Sequence, residues 1–316
     1  MHAETTDTMA GDMARGRSTD RVQEIDVLRG LALIGIVIIH HIEHFHVFRT
    51  PEHTLDWLRG FDPKVMSGVF FMISGKAYAL FSVLFGLSFW IQVDRRRRRG
   101  QGYFWRHVWR MALLFAFGMV HTVFFSGDIL HMYALIGVAL IFFYRLPPAL
   151  LLTLAITLIA LPVHVVSLVD AVITGNGFDF RMQGEGWGGI DEITMSPGFF
   201  DDVRFNFGVL DEIFIWNWNA GRVLLVPGLF LLGVYAGRVK LLDRPARWWC
   251  AVLLVSAVAS MTFWAIKNHA LPMFNLSELD KHSLYVVLET HHRTAFMFVY
   301  ASAVVLAWKL DLWRQG

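Results

Sequence analysis

The sequence predicts an all-α fold, a polytopic bundle of about eight transmembrane helices. Of its 316 residues 55% are hydrophobic and only 17% are charged, and the mean hydropathy is +0.48. Soluble domains usually carry about a quarter charged residues. The 27 Phe and 12 Trp residues are typical of lipid-embedded and interfacial surfaces. A polytopic membrane protein is therefore predicted, and a freely soluble fold is excluded.

Composition and motifs also narrow the function classes. The net charge is +2 and no basic stripe alternates with aromatic residues, so no nucleic acid partner is expected. The single cysteine, Cys250, excludes a disulfide framework and a cysteine-based zinc site, and no metal is expected. Phosphate-loop, dinucleotide, serine-hydrolase and zinc-protease motifs are absent from the sequence. The expected partners are membrane lipids and a small-molecule acceptor, and the oligomeric state is left open.

A membrane span needs about 20 mostly apolar residues. Residues 1–22 are polar, with no apolar run after their charges, and are predicted to form a cytoplasmic tail. Residues 23–316 are predicted to form a single transmembrane domain, with an outer loop region at about 174–222. The eight apolar stretches are Val27–His44, Val69–Gln92, Val108–Phe125, Ile129–Tyr144, Leu150–Ile173, Val223–Val239, Trp248–Ile266 and Leu284–Trp308.

Basic residues orient these spans, because cytoplasmic loops are enriched in Lys and Arg. Most of the 28 Lys and Arg residues fall on one side if both termini are cytoplasmic, including the run Arg95–Arg99. That run is chiefly a topology signal, and binding of anionic lipid or of a phosphorylated cosubstrate is the alternative.

Ionisable residues inside spans are candidate site residues, because they are costly in lipid and usually face a cavity or a partner. Helical spacing places Asp26, Arg29, His40 and His44 on one stripe of the first span. Asp26 and Arg29 are three residues apart and can pair on one helical face. The alternative is that they form an interfacial charge pair that caps the helix and fixes the topology. His40 and His44 have the spacing of two metal ligands, yet no third ligand is evident, and a histidine suits general-base chemistry.

Three further polar residues lie at or near later spans. Lys76 either lines a cavity and binds an anionic group or extends to the membrane surface. His121 and Asp128 flank a short turn, where an acid could orient an imidazole or form a structural hydrogen bond. We expect Asp26, Arg29, Lys76, His121 and Asp128 to converge on one water-accessible cavity.

Four segments carry a family resemblance, and they are specific in combination. Together they resemble the YeiB-like bacterial membrane proteins (domain of unknown function 418), whose setting implies a bacterial inner membrane. The Asp-x-x-Arg-Gly start of the first helix is also similar to that of transmembrane acyltransferases, including the lysosomal heparan-glucosamine N-acetyltransferase. The segments are Glu24–Gly35, Gly75–Gly86, His121–Ala134 and Arg222–Gly233.

The resemblance implies a membrane acyltransferase. Such a protein would move an acyl group from a cytoplasmic acyl-thioester, acyl-CoA (for instance acetyl-CoA), to an acceptor at the outer face. His53 lies in the loop comparable to the one that holds the proposed catalytic histidine of the acetyltransferase. The predicted catalytic residues are therefore His53, His121 and Asp128, and the predicted substrate-binding residues are Asp26, Arg29, Lys76, His40 and His44.

Two other functions use the same polar residues. A transporter or channel for a small anionic metabolite would employ Lys76, Arg29 and the histidine stripe as binding groups. A structural membrane partner without chemistry is the third class, and enzymatic activity is left open.

Overall fold

The computed structural model describes residues 23–44, 59–125, 127–160, 199–208 and 210–311, with isolated positions at 55, 165, 169 and 172–175. This part of the chain is helical and contains no strand, which confirms the predicted all-α class. Its helices are α1 (Gln23–His44), α2 (Asp62–Met72), α3 (Lys76–Arg98), α4 (Phe104–Phe124), α5 (Leu130–Phe143), α6 (Pro148–Ala160), α7 (Phe199–Gly208), α8 (Leu210–Asn219), α9 (Arg222–Arg238), α10 (Ala246–Ala265) and α11 (Glu278–Lys309).

The predicted number of eight spans is too high for the part of the chain described. Four stretches there are long and apolar enough to cross a membrane, and a fifth is obtained if α8 and α9, bent by 68° at their junction, count as one. The four are Gln23–Ile42, Asp62–Arg98, Phe104–Phe124 and Ala246–Met273.

Helix length and composition explain the difference. The 14 residues of α5 extend about 21 Å at 1.5 Å per residue, less than the roughly 30 Å of hydrocarbon. Helix α6 ends at Ala160 in the described chain, and most of residues 161–173 lie outside the described residues. Helix α11 is long enough, but charged residues such as Glu289 and Arg293 lower its hydropathy.

Large apolar side chains that are exposed on several helices fit a lipid surface. On α4, Trp105 is 79% exposed and Phe117 is 68% exposed, and on α10 Leu254 and Val255 are each 67% exposed. Runs of large exposed apolar residues are unusual on soluble proteins, whereas hydrocarbon accommodates them. The chain is therefore a helical membrane protein.

The centre of the bundle is the contact between α3 and α9. Glycines allow their backbones to approach: a Cβ on Gly86 would lie 1.9 Å from the Phe230 carbonyl oxygen, and one on Gly233 would lie 2.0 Å from that of Val83. The two helices run parallel, because Gly237, further along α9, meets Trp90, further along α3. Small residues at such crossings are typical of membrane helices.

The remaining helices pack around this pair. Helix α1 lies on α3, where Ile25 and Leu28 join a buried cluster with Leu84 and Leu229. Helices α4 and α5 form an antiparallel hairpin, in which His107 of α4 contacts the Gly137 carbonyl of α5 at 2.8 Å. Helices α10 and α11 form a second hairpin, and α6 packs on α9.

We predict that Gly86→Ala destabilises the protein by about 1–3 kcal/mol, because the new methyl group has no room against the Phe230 carbonyl. Gly68→Ala on α2 is the matched control, since no atom lies within 4 Å of its added Cβ. Thermal unfolding in detergent measures both variants. Equal melting temperatures for the two variants would contradict the packing described.

Candidate functional site

A cavity of about 280 Å³ lies where several helix ends meet, and we call it the histidine cavity. Helix α1 contributes His40, the last turn of α4 contributes His121, the α4–α5 turn contributes Asp128, and the start of α9 contributes Arg222. Its other lining residues include Ser74, Gly75, Tyr78, Phe81, Tyr133 and Trp216. Ligand pockets usually measure about 300–1,000 Å³, so this one suits a small molecule or the end of a larger one.

The predicted histidine–carboxylate pair forms at this cavity. His121 Nδ1 lies 3.1 Å from Asp128 Oδ1, with the His121 side chain 43% exposed and that of Asp128 1% exposed. The pair is at ion-pair distance, although neither atom makes a hydrogen bond of regular geometry with any described residue. The other carboxylate oxygen, Oδ2, accepts a hydrogen bond from the Leu130 backbone N–H at 3.1 Å. The carboxylate thus caps α5 and faces the imidazole from a fixed position.

Two more histidines adjoin this pair. The His40 ring stacks near that of His121, with centroids 6.2 Å apart, and packs on Phe125 at 4.7 Å. His131, which the sequence analysis did not select, lies with Nδ1 3.6 Å from Asp128 Oδ2 and 3.3 Å from Thr122 Oγ1. Its position three residues after Asp128, one helical turn away, was the signal that could have found it.

Tyrosine and serine side chains close the inner wall of the cavity. The buried Tyr133 donates a hydrogen bond to the Tyr78 carbonyl at 3.0 Å and shares a hydrogen bond with Ser82. The Phe81 ring stacks on Tyr133 at 6.0 Å. These contacts join α3 to α5 directly beneath the histidines.

Asp26 and Arg29 lie at a different cavity. They pair at 3.1 Å, and Arg29 also donates to Ser88 Oγ at 2.5 Å. Arg29 lines a cavity of about 390 Å³, which we call the arginine cavity, together with Ser88, Gln92, Tyr103, His107 and Arg110. Phe81 lines both the arginine cavity and the histidine cavity. Of the stripe predicted on α1, Arg29 lines the arginine cavity and His40 lines the histidine cavity.

Lys76 lines neither the histidine cavity nor the arginine cavity. Its side chain is 2% exposed, and its ammonium lies 5.5 Å and 5.7 Å from the ring centroids of Phe71 and Phe296. Close by, the Glu289 carboxylate accepts from Lys267 and from Arg293, each at 2.5 Å. We call Lys76, Lys267, Glu289 and Arg293 the lysine cluster.

The expected convergence of five residues on one cavity is therefore wrong. Only His121 and Asp128 of those five line the histidine cavity, whereas Asp26 and Arg29 belong to the arginine cavity region and Lys76 to the lysine cluster. The physical reason is depth and facing. Arg29 lies eleven residues, about 16 Å of helix, before His40, the residue of α1 that adjoins His121. Lys76 faces Phe71 and Phe296 and not the cavity.

Two predicted site residues cannot be placed. His53 lies outside the described residues, and of His44 only its position as the last residue of α1 is described. Among the described residues, no group of three or more His, Cys, Asp or Glu could hold a metal.

The lysine cluster supports the wall of the histidine cavity. Gly75 has φ +77°, and Arg293 packs so closely on it that an added Cβ would lie 2.2 Å from Arg293 Cδ. Gly75 itself lines the histidine cavity, so the ion pair of Glu289 holds α11 against the break between α2 and α3.

We predict that Glu289→Gln destabilises the protein by about 3 kcal/mol, because it leaves Lys267 and Arg293 without a carboxylate in a poorly hydrated place. Glu278→Gln is the control: Glu278 is 92% exposed and pairs with Lys281, so its loss changes stability little. Thermal unfolding in detergent compares the two. A Glu289→Gln protein as stable as the control would contradict a stabilising role of the lysine cluster.

Comparisons with known proteins agree with the acyltransferase resemblance. Residues 21–174 match the family described as heparan-alpha-glucosaminide N-acetyltransferase, catalytic, a segment that contains His40, His121 and Asp128. The chain is therefore similar to an acyltransferase catalytic domain over a segment of just under half of its length. The YeiB-like assignment is not confirmed by these comparisons.

Two bacterial proteins of unassigned function are similar over part of the chain. An uncharacterized 39.9 kDa protein of Bacillus acidopullulyticus is 31% identical over 127 residues, which cover 40% of this chain and 35% of that protein. The uncharacterized protein YxaH of Bacillus subtilis is 32% identical over 152 residues, 45% of this chain and 37% of YxaH. The chain thus matches little more than a third of the length of these relatives. No solved structure matches it.

Proposed function

We propose that the protein is a membrane acyltransferase in which His121, oriented by Asp128, is the general base. The observation that carries the proposal is the 3.1 Å approach of these two side chains at the edge of a ligand-sized cavity. Both residues fall in the segment that matches the acetyltransferase catalytic family. A histidine beside a buried carboxylate is a recurring arrangement for removing a proton from a hydroxyl or an amine.

The donor in this proposal is an acyl-thioester such as acyl-CoA, and three cavities that share lining residues could receive it. Arg97, Arg145 and Arg238 line a cavity of about 950 Å³, where guanidinium groups can bind phosphates. Tyr103 lines both this cavity and the arginine cavity, and Phe81 lines both the arginine cavity and the histidine cavity. A thioester arm reaching along this series would bring its carbonyl towards His121 from the basic end of the bundle.

The chemistry then follows from the groups present. His121 takes the proton of the acceptor O–H or N–H while Asp128 stabilises the imidazolium that forms. The acceptor oxygen or nitrogen attacks the thioester carbonyl carbon, the C–S bond breaks, and the thiolate leaves and recovers a proton. Gly75, immediately before α3, lines the cavity, and its backbone N–H is the group proposed to stabilise the oxyanion. Lys76, one of the predicted substrate-binding residues, lies instead near the rings of Phe71 and Phe296.

A transporter of a small anionic metabolite is the second candidate, and one observation favours it. Two helical segments, α2–α3 and α8–α9, are interrupted beside the same cavity. Interrupted helices at a central site are typical of secondary transporters.

The proposed setting is a bacterial inner membrane with both termini in the cytoplasm, which places the histidine cavity towards the outer face. The parallel course of α3 and α9 supports it, since both then run from the outer face to the basic cytoplasmic side. Reporter fusions after residues 16, 184 and 316 test the orientation. We expect cytoplasmic signals from the first and last and an outer signal from the second, and an outer signal at residue 316 would refute it.

We predict that His121→Ala lowers acyl transfer about 10²–10⁴-fold while thioester binding is retained, because a general base acts in the transition state. Asp128→Asn should lower the rate as well, since a neutral amide no longer stabilises the imidazolium. The assay follows thiol release from acetyl-CoA by the protein in detergent with small amines and alcohols, including glucosamine. The control is His269→Ala, an exposed histidine away from the cavity.

Absence of affinity for acetyl-CoA, together with uptake of a labelled anion into proteoliposomes, would establish transport in place of acyl transfer. Unchanged thiol release in His121→Ala would remove His121 from the mechanism.

A further inference from the structure

A further cavity, which the proposed reaction does not use, lies at the carboxyl ends of α3 and α9. We call it the helix-end cavity. Its volume is about 460 Å³, within the range of about 300–1,000 Å³ that is usual for ligand pockets. Ile25 at the start of α1 and the short 3-10 helix Leu241–Asp243 that follows α9 form part of its wall. Trp90 is the residue that it shares with the cavity of about 950 Å³ described above.

The arginine run at the end of α3 divides between these two cavities. Arg95, Arg98 and Arg99 line the helix-end cavity, whereas Arg97 lines the cavity of about 950 Å³. Residues three and four apart share one face of a helix, which explains the grouping. A topology signal needs only basic residues near the end of a span, in any arrangement. The placement of three arginines at one cavity is therefore a feature that topology does not require.

Basic side chains outnumber acidic ones around the helix-end cavity. Its charged lining residues are Arg95, Arg98, Arg99 and Lys240 on the basic side and Asp94 and Asp243 on the acidic side. Arg98 pairs with Asp94 at 2.9 Å. Neither Arg99 nor Lys240 has a carboxylate partner among the described residues. The basic excess is larger than the partial negative charge of two helix carboxyl ends, which is about half an elementary charge each.

Lys240 has a backbone conformation that favours glycine. Its φ is 51°, in the left-handed region, and its N–H donates to the Gly237 carbonyl at 3.3 Å to end α9. Glycine is the residue usually found at such a helix end, because it adopts this conformation without strain. The turn itself therefore does not need the lysine side chain, and what that side chain adds is a positive charge at the cavity.

The remaining wall of the helix-end cavity is apolar. Leu87, Trp90 and Ile91 line it from α3, and Leu241 and Leu242 line it from the 3-10 helix. Tryptophan is typical of the boundary between hydrocarbon and headgroups. A ligand that fits both parts of the wall is amphiphilic, with an anionic group beside an apolar one. Basic pockets between membrane helices bind the headgroups of anionic phospholipids in this way.

We propose that the helix-end cavity binds an anionic phospholipid of the phosphatidylglycerol or cardiolipin class. The lipid phosphate lies at Arg99 and Lys240, and the adjoining glycerol and acyl carbons contact Trp90 and Leu241. Because the cavity wall joins α1, α3 and α9, the bound lipid holds these three helices together at their basic end. The proposal is independent of the proposed acyltransferase function.

Phosphatidylglycerol and phosphatidylcholine with the same acyl chains test the proposal, because both contain the phosphate and the glycerol but only phosphatidylglycerol has a net negative charge. Native mass spectrometry of the full chain in a neutral detergent measures the affinity for each lipid. We expect phosphatidylglycerol to bind at least about 5-fold more tightly, as the attraction of one basic residue to an anionic lipid predicts. Raising the ionic strength from about 0.1 M to about 1 M should reduce that preference, since the screening length falls from about 10 Å to about 3 Å.

Substitutions at the cavity should change the affinity for phosphatidylglycerol in opposite directions. Lys240→Gly and Arg99→Gln should each weaken it about 5-fold. Lys240→Gly should also leave the melting temperature in detergent equal or higher, because glycine relieves the left-handed strain, so its loss of binding is not a loss of fold. Asp243→Asn should strengthen binding, because it removes a negative charge from the same wall. Arg247→Gln is the matched control, an exposed basic residue of α10 that does not line the cavity.

Equal affinity for the two lipids, or unchanged binding of phosphatidylglycerol in both Lys240→Gly and Arg99→Gln, would overturn the proposal. A loss in Arg247→Gln as large as that in Lys240→Gly would overturn it too, because the attraction would then belong to the whole basic end of the bundle. Glycerol 3-phosphate that displaces phosphatidylglycerol at comparable concentration would show a site for a free phosphate and would rule out the lipid.

Discussion

The close parallel packing of α3 on α9 is the contact on which the site depends. Gly86 and Gly233 bring the two backbones together, and this fixes both the direction and the relative height of the helices. Two parallel helices place like ends side by side, so the amino end of α3 and that of α9 arrive at the same cavity.

The polar groups of the bundle lie at the arginine cavity, at the histidine cavity and in the lysine cluster, because each needs a polar partner in an apolar medium. Arg29 meets Asp26 and Ser88, His121 meets Asp128, and Glu289 meets Lys267 and Arg293. A charge without a partner in hydrocarbon is costly, so each charged side chain lies beside the nearest group of complementary charge or polarity.

The arginine cavity, the histidine cavity and the lysine cluster are all in contact with α3. In the lysine cluster, Arg293 packs closely against Gly75. Gly75 immediately precedes α3 and lines the histidine cavity. Phe81, one and a half turns further along α3, separates the histidine cavity from the arginine cavity. Helix α3 thus contacts all three groups, and a change in its position would alter the ion pairs and the walls of both cavities together.

The fold class and the pairing of His121 with Asp128 could be predicted from the sequence. Composition predicts the helical membrane class, and a short turn between two antiparallel helices brings its flanking residues together. The number of spans, the surroundings of Lys76 and the position of Arg222 depend on tertiary contacts. Arg222 follows a glycine break and stacks on Trp216, and its cavity partners come from α1, α3 and the α4–α5 turn. Contacts between residues so far apart in the chain depend on how the glycine faces of α3 and α9 pack, which no local pattern encodes.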